Sequence, residues 1–285
     1  MSQPTYRLLC SLALGVACIL PFARFAAADE NVFAGQLSET LDEGANGTAC
    51  ADVTFKARQR HLASTDPAAM TVLRFWFEEW DEDMIEGGKG RYNEKWFPHG
   101  AKGIEGSKEV DRIIRERFMT IFEAATNEGS GHLVQGWDIR SNPYENLAFI
   151  LLIDQFARNM FRGTERSYRH DHLALQAARI NLQKCFYSFY FTGYQKLFVV
   201  YPFMHDEELN SQIISLLYLR RLNEDDDHQF EFLNAFEKGM EHFQIILMFG
   251  RFPHRNVRRG RPSTAQEETY LERYGEPGFI DGSKW

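Results

Sequence analysis

The stretch Asn142-Pro143-Tyr144-Glu145-Asn146-Leu147-Ala148-Phe149-Ile150-Leu151-Leu152-Ile153-Asp154-Gln155-Phe156-Ala157-Arg158-Asn159-Met160-Phe161 reads as one helix. Asn142 is a side-chain cap, and Pro143 fits the first helical position, where no N–H is needed. Leu147, Ile150, Leu151 and Leu152 then give the apolar content of a core helix. The polar run Asp154-Gln155-Phe156-Ala157-Arg158-Asn159 interrupts it, and a charge inside so apolar a helix needs a partner. Asp154, Arg158 and Arg162 follow at intervals of four, so they share one face. That face is either an ion-pair ladder between helices or a guanidinium clamp for a carboxylate or phosphate. Gln155 and Asn159 occupy the adjacent strip, within reach of backbone or ligand.

Working outward, the same periodicity recurs. Asp66-Pro67 is another capped start, and Ser107 to about Thr126 places Val110, Ile113, Ile114, Phe118, Ile121 and Phe122 on one face. Helical patterns continue at 171–190, 207–222, 228–249 and 264–273, the last opened by a Thr264–Glu267 capping box. Phe198-Val199-Val200-Tyr201 is too short to build a sheet. The fold class is therefore all-α, and antiparallel helix pairs fit the spacing. With 24 phenylalanines the core should be aromatic, and Phe75, Trp76, Phe77, Trp80, Trp96 and Phe97 are its first candidates.

The beginning of the chain has the composition of a leader. Arg7, the apolar Leu8 to Leu20 and the small residues Ala26-Ala27-Ala28 read as a cleavable signal over 1–28. Pro21 and Arg24 keep the apolar run below the ~20 residues of a spanning helix, so no stable membrane insertion is expected after its removal. The destination is then secreted or periplasmic; an organellar transit segment and a lipid anchor at Cys18 are the alternatives. Residues 29–64 are polar and read as a flexible linker, leaving 65–285 as the helical domain. Cys50 and Cys185 remain in the mature chain. Two cysteines make no disulfide framework, and Cys185, inside a helical pattern beside Phe186 and Tyr187, reads as a core thiol.

The formal net charge of −8 argues against nucleic acid as a partner. Against that background Arg251, Arg255, Arg258, Arg259 and Arg261 form a local basic cluster, suited to a small anion or to internal carboxylates. It overlaps the loop Phe249-Gly250-Arg251-Phe252-Pro253-His254-Arg255-Asn256, whose polar donors exceed what a connector needs. A further polar run, Phe203-Met204-His205-Asp206-Glu207-Glu208, precedes a helix. The dipole of that helix should lower the pKa of His205 and suit it to act as a general base, oriented by Glu207 or Glu208.

The three runs point to one pocket. His205, His254 and Glu208 are the candidate catalytic groups. Gln155, Arg158, Asn159, Arg162, Arg251, Arg255 and Asn256 are the candidate ligand contacts. His205, His242 and His254 with Glu208 would suit a metal, but no His-x-x-x-His pair occurs and no metal is assigned. No phosphate-binding glycine loop, dinucleotide fingerprint or Gly-x-Ser-x-Gly elbow is present, so no cofactor or nucleophile is identified. Two functions fit: a small-molecule site for an anionic ligand, with a histidine for proton transfer, or a helical scaffold whose groove holds a peptide.

Three motifs in this order resemble the domain of unknown function 924. They are Asp154-Gln155-Phe156-x-Arg158-Asn159-x-Phe161-Arg162-Gly163, Pro202-Phe203-Met204-His205, and Gly250-Arg251-Phe252-Pro253-His254-Arg255-Asn256 followed by Ser263-Thr264. Phe75-Trp76-Phe77, Trp96-Phe97 and Trp137 fit the same family. The resemblance implies a tetratricopeptide-like array of helices and assigns no activity. The sequence departs from the family pattern at Ala157, where proline is usual, at Glu208, where aspartate is usual, and at Phe243-Gln244, where an arginine and an aspartate are typical of the family. The leader is also atypical.

Overall fold

The structure is a computed structural model, and it describes residues 54–78, 96, 103–126, 136–225 and 232–275. The proposed leader, most of the proposed linker, Cys50, Trp80 and Phe97 lie outside the described residues. Among the described residues every regular element is helical. In chain order these are α1 (Phe55–Ser64), α2 (Pro67–Phe77), α3 (Gly103–Thr126) and α4 (Pro143–Ile150). A π-helical stretch (Leu151–Phe156) runs on into α5 (Ala157–Met160). Then come α6 (Asp171–Gln183), α7 (Phe186–Tyr190), α8 (Gly193–His205), α9 (Leu209–Asp225), α10 (Leu233–Phe249) and α11 (Ala265–Tyr274).

The capping chemistry sets the helix starts. Asp66 accepts the N–H of Ala68, Asn142 accepts those of Tyr144 and Glu145, and Thr264 and Glu267 form the reciprocal box at α11. Gly250 ends α10 in the left-handed conformation at φ 67°, which a residue with a Cβ adopts at a cost. Phe55–Ser64, assigned by the sequence to the linker, is helical, with Thr54 accepting the N–H of Ala57.

Successive helices pack on each other: α8 on α9, and α9 on α10, as in an array of helix pairs. Helix α8 is the hub, touching α4, α6, α9 and α10. Ten of its thirteen residues are buried, so it is apolar around its whole circumference. The core is aromatic: Phe118 meets Phe156 at 4.8 Å between ring centroids, Trp76 meets Phe156 at 5.4 Å, and Trp96 meets Phe198 at 5.0 Å. At Gly239 of α10 an added Cβ would lie 2.7 Å from Leu219 Cδ1, so the leucines of α9 pack directly against the bare backbone there.

The helical pattern over 171–190 breaks at Cys185, which has φ 58° and separates α6 from α7. Cys185 is disulfide-bonded, not a core thiol. It is the one cysteine among the described residues, so its partner lies outside them.

Candidate functional site

The polar run of the continuous helical segment Pro143–Met160 is positioned by its π-helical stretch, which holds Asp154 and Gln155. A π turn inserts an extra residue into the ladder and is common where a helix carries function. Here it buries Asp154 completely. Asp154 Oδ1 accepts a hydrogen bond from His205 Nδ1 at 2.7 Å and lies 3.0 Å from Arg158 Nη1, while Gln155 Nε2 donates to Oδ2 at 2.5 Å. Burial works against the carboxylate charge, but Arg158 and then His205 outweigh it and hold its pKa at about 2. Arg158 also forks onto Asp171, at 3.0 and 2.9 Å, and these two carboxylates overcome its own burial to keep it charged.

His205 is the last residue of α8. The sequence placed it ahead of a helix N-terminus, where the dipole would lower its pKa. The helix end it occupies has the opposite polarity. Its pKa is nevertheless lowered, first by burial and then by Arg158. The imidazole is neutral, Nδ1 carries the proton given to Asp154, and Nε2 is left as the acceptor nitrogen. The orienting carboxylate is Asp154, not Glu207 or Glu208. Glu207 accepts from Arg261 at 2.6 and 3.0 Å and from the N–H of Phe252, and Glu208 is exposed.

The loop after α10 brings in the third run. Arg255, only 5% exposed, donates through Nη1 to the carbonyl of His205 at 3.0 Å and stands 3.6 Å from Asp171 Oδ2. Its guanidinium lies over the rings of Phe252 and Tyr168, at 4.5 and 5.0 Å. The buried Nε has no hydrogen-bond partner, and burial lowers the pKa of the group to about 10. His254 is buried beside it; burial, then Arg255, His242, Arg258 and Arg261, press its pKa down to about 2. His242 donates from Nδ1 to the carbonyl of Lys238 at 2.7 Å and is likewise neutral, through burial and then His205.

These groups surround one chamber of about 120 Å³, walled by Gln155, Arg158, Arg162, Tyr168, Tyr201, His205, His242, His254, Arg255 and Arg258 among others. All three runs meet there. A second, more open cavity of about 780 Å³ adjoins it, sharing Tyr168, His205, Arg255 and Arg258 as a common wall.

Residues 72–275 match a family described as bacterial protein of unknown function (DUF924). The chain belongs to this family. A solved structure, of a protein of unknown function from Agrobacterium tumefaciens, is similar: 27% identity over 72% of this chain and 97% of that one, with a TM-score of 0.55. No curated protein matches.

Four of the sequence candidates within this DUF924 chain fall outside the chamber. Arg251 forks onto Glu267 at 2.6 and 2.8 Å and donates to the carbonyl of Pro262. Asn256, fully buried, donates to Ser263 and Glu267 and accepts from Arg261. Both hold the loop to α11. Asn159 donates to Asp111 at 2.8 Å, tying α5 to α3. Glu208 belongs to the outer cavity alone. Arg162 lines the chamber but is already paired with Asp111 at 2.7 and 2.9 Å, so it is no third rung of a ladder with Asp154. The sequence reading missed Tyr168, Tyr201, Arg258 and Asp171 as site residues. Tyr168 lies in an irregular segment, Asp171 at the start of α6, Tyr201 inside the buried α8 and Arg258 in an arginine-rich run, and no motif marks them. Among the described residues no group of three or more histidine, cysteine or acidic side chains is arranged to hold a metal.

Proposed function

We propose that the chamber binds a small anion, a carboxylate or a phosphate, and that His205, held by Asp154, exchanges a proton with the bound molecule or with water beside it. The observation that carries the reading is Arg255: a guanidinium, buried, with Nε unpartnered and its pKa lowered to about 10. A buried charged donor left without a partner costs on the order of 1–3 kcal/mol or more. An anion in the chamber removes that cost and adds an attraction strengthened by the low local dielectric. The charges that lower His254 act in the same direction.

The Asp154–His205 pair supplies the proton chemistry. A proton taken up at Nε2 turns the ring into an imidazolium whose Nδ1–H already faces an ionised carboxylate 2.7 Å away. The chamber of about 120 Å³ is smaller than a drug-sized pocket, which spans ~300–1,000 Å³. It suits a compact ligand better than a peptide lying along a groove.

We also infer export. The leader composition and the disulfide at Cys185 support it together, because disulfides persist in oxidising compartments. Among the described residues no helix is long and apolar enough to cross a membrane. Sequencing the N-terminus of the mature chain tests the cleavage.

Titration of acetate and of inorganic phosphate by calorimetry, into the wild type and Arg255→Gln, tests the binding. At least one anion should bind the wild type and lose affinity by roughly tenfold or more in the variant. Equal binding by both proteins, with unchanged circular dichroism, removes Arg255 from the site; no binding by either removes the reading.

A further inference from the structure

The wall shared by the two cavities contains three polar atoms that the protein itself leaves unused. Arg255 Nε and the hydroxyl of Tyr168 are both buried without a hydrogen-bond partner, in side chains at least nine-tenths buried. The third is Nε2 of His205, since the ring's proton sits on Nδ1 against Asp154. Their chemistry differs. Arg255 Nε–H can only donate, His205 Nε2 can only accept while the ring is neutral, and the phenol can do either. A carboxylate alone satisfies the donor but offers nothing to the imidazole. A ligand complementary to all three carries an anionic group and, next to it, a group with a hydrogen to donate.

Two common neighbours of a carboxylate carry such a hydrogen, a hydroxyl and an ammonium. The charges around the throat distinguish them. Arg158 forks onto Asp171, Arg255 approaches the same carboxylate, and Arg258 lines both cavities. Tyr168 itself lies under two guanidiniums, those of Arg255 at 5.0 Å and Arg259 at 5.2 Å. The carboxylates Asp171 and Glu207 line the outer cavity. Among the described residues the chamber itself is lined by Arg158, Arg162, Arg255 and Arg258 and by no carboxylate. An ammonium placed in it would face cations at short range, whereas a hydroxyl adds no charge. Size limits the acid end. A chamber of about 120 Å³ has room for only a handful of non-hydrogen atoms, and a longer chain would extend into the outer cavity of about 780 Å³.

We propose that the ligand class of this site is a hydroxycarboxylate, its carboxylate on Arg255, its adjacent hydroxyl donating to His205 Nε2, and Tyr168 completing the contact. This rests on the anion-binding reading above and adds the hydroxyl. It also gives the Asp154–His205 pair its substrate atom, the hydroxyl oxygen.

Three probes of nearly equal size separate the ideas: glycolate, acetate and glycine, titrated by calorimetry into the intact protein at neutral pH, with inorganic phosphate alongside. Glycolate should bind about tenfold more tightly than acetate, and glycine should bind no better than acetate. Tyr168→Phe and His205→Asn should each shrink the glycolate-to-acetate ratio. Two variants are used because the histidine is buried and its replacement can compromise folding, which circular dichroism reports. Equal affinity for glycolate and acetate overturns the hydroxyl contact and leaves the anion site standing. Phosphate binding without carboxylate binding overturns the ligand class in the same way. Tighter binding of glycine overturns the argument from charge. Failure of all four to bind overturns the anion site itself.

Discussion

Arg255 Nη1 reaches the backbone carbonyl of His205 at 3.0 Å, so the loop after α10 is tied to the end of α8 by the cation that faces the chamber. The neighbouring carbonyls are taken by Gln212, whose Nε2 donates to Met204 at 2.7 Å and to Asp206 at 2.6 Å. The free carbonyls at the end of α8 are thereby satisfied from both sides. Replacing Gln212 by Leu should leave the buried carbonyl of Met204 and the half-buried one of Asp206 without that donor. A loss of about 1–3 kcal/mol is expected, read as a lower midpoint in urea, together with broadening of the His205 ring signals in NMR. An unchanged midpoint would show that water replaces the amide.

Arg158 and Arg255 look equivalent in the sequence and should behave differently. Arg158 neutralises two carboxylates, Asp154 and Asp171, and one of them is completely buried. Arg158→Ala leaves that charge uncompensated, a change worth about 3–5 kcal/mol for a buried pair. Arg255 is desolvated and only distantly paired, at 3.6 Å from Asp171. Arg255→Gln should therefore cost much less stability and mainly remove anion binding. Chemical denaturation of the two variants side by side checks the contrast, and equal losses would refute it.

The difference between these arginines shows what the sequence could and could not convey. Helix type was legible from caps and periodicity, as at Asp66-Pro67, Asn142-Pro143 and Thr264 to Glu267. Helix α8 was not, because a helix buried on all sides has no polar face to give a period, and Pro202 lies inside it. Missing α8 misplaced His205 at the wrong end of a helix dipole. The convergence of the three polar runs was legible as a surplus of donors. Which donors were already spent was not: Arg251, Asn159 and Asn256 bond to Glu267, Asp111 and Ser263, partners distant in sequence or across a turn. The same holds for Asp154, whose role of orienting His205 depends on a contact across 51 positions.

That contact fixes a tautomer, which is directly observable. Nitrogen-15 NMR of the imidazoles should find His205 neutral at pH 7 with the proton on Nδ1, held by Asp154. Asp154→Asn removes the attraction that favours the imidazolium, so the ring should become harder to protonate, and any turnover that uses it as a base should fall. A ring found with its proton on Nε2 in the wild type would contradict the proposed base.

The buried histidines also set the acid limit of the fold. The pKa of His254 falls from 6.5 to about 2 on folding, and those of His242 and His205 are lowered as well. The unfolded chain therefore takes up protons below about pH 6.5 that the folded chain refuses. Stability is complete above that pH and declines as the pH falls, for His254 by about 1.4 kcal/mol per pH unit toward pH 2, with His242 and His205 adding loss in the same direction. Asp154 and Glu267, both held at about 2, add their loss only below the ordinary carboxylate range. The melting temperature should thus start to drop near pH 6, well before the carboxylates titrate. His254→Gln should move that onset to lower pH. A melting temperature flat from pH 7 to pH 5 would mean that the histidines are protonated in the folded protein.

Cys185 combines a constraint with a strain, and the two can be measured separately. Its backbone is left-handed at φ 58°, a conformation that costs a residue bearing a Cβ about 1–2 kcal/mol. Its sulfur is held in a disulfide that restricts the unfolded chain, an effect of about 2–4 kcal/mol. Reductant should lower the stability of the wild type to that of Cys185→Ser. Cys185→Gly also lacks the crosslink but relieves the backbone, so it should lie above Cys185→Ser by about 1 kcal/mol and should not respond to reductant. Non-reducing peptide mapping identifies the sulfur's partner in the same samples. Insensitivity of the wild type to reductant, with a free thiol at Cys185, would remove both the crosslink and the support it lends to export.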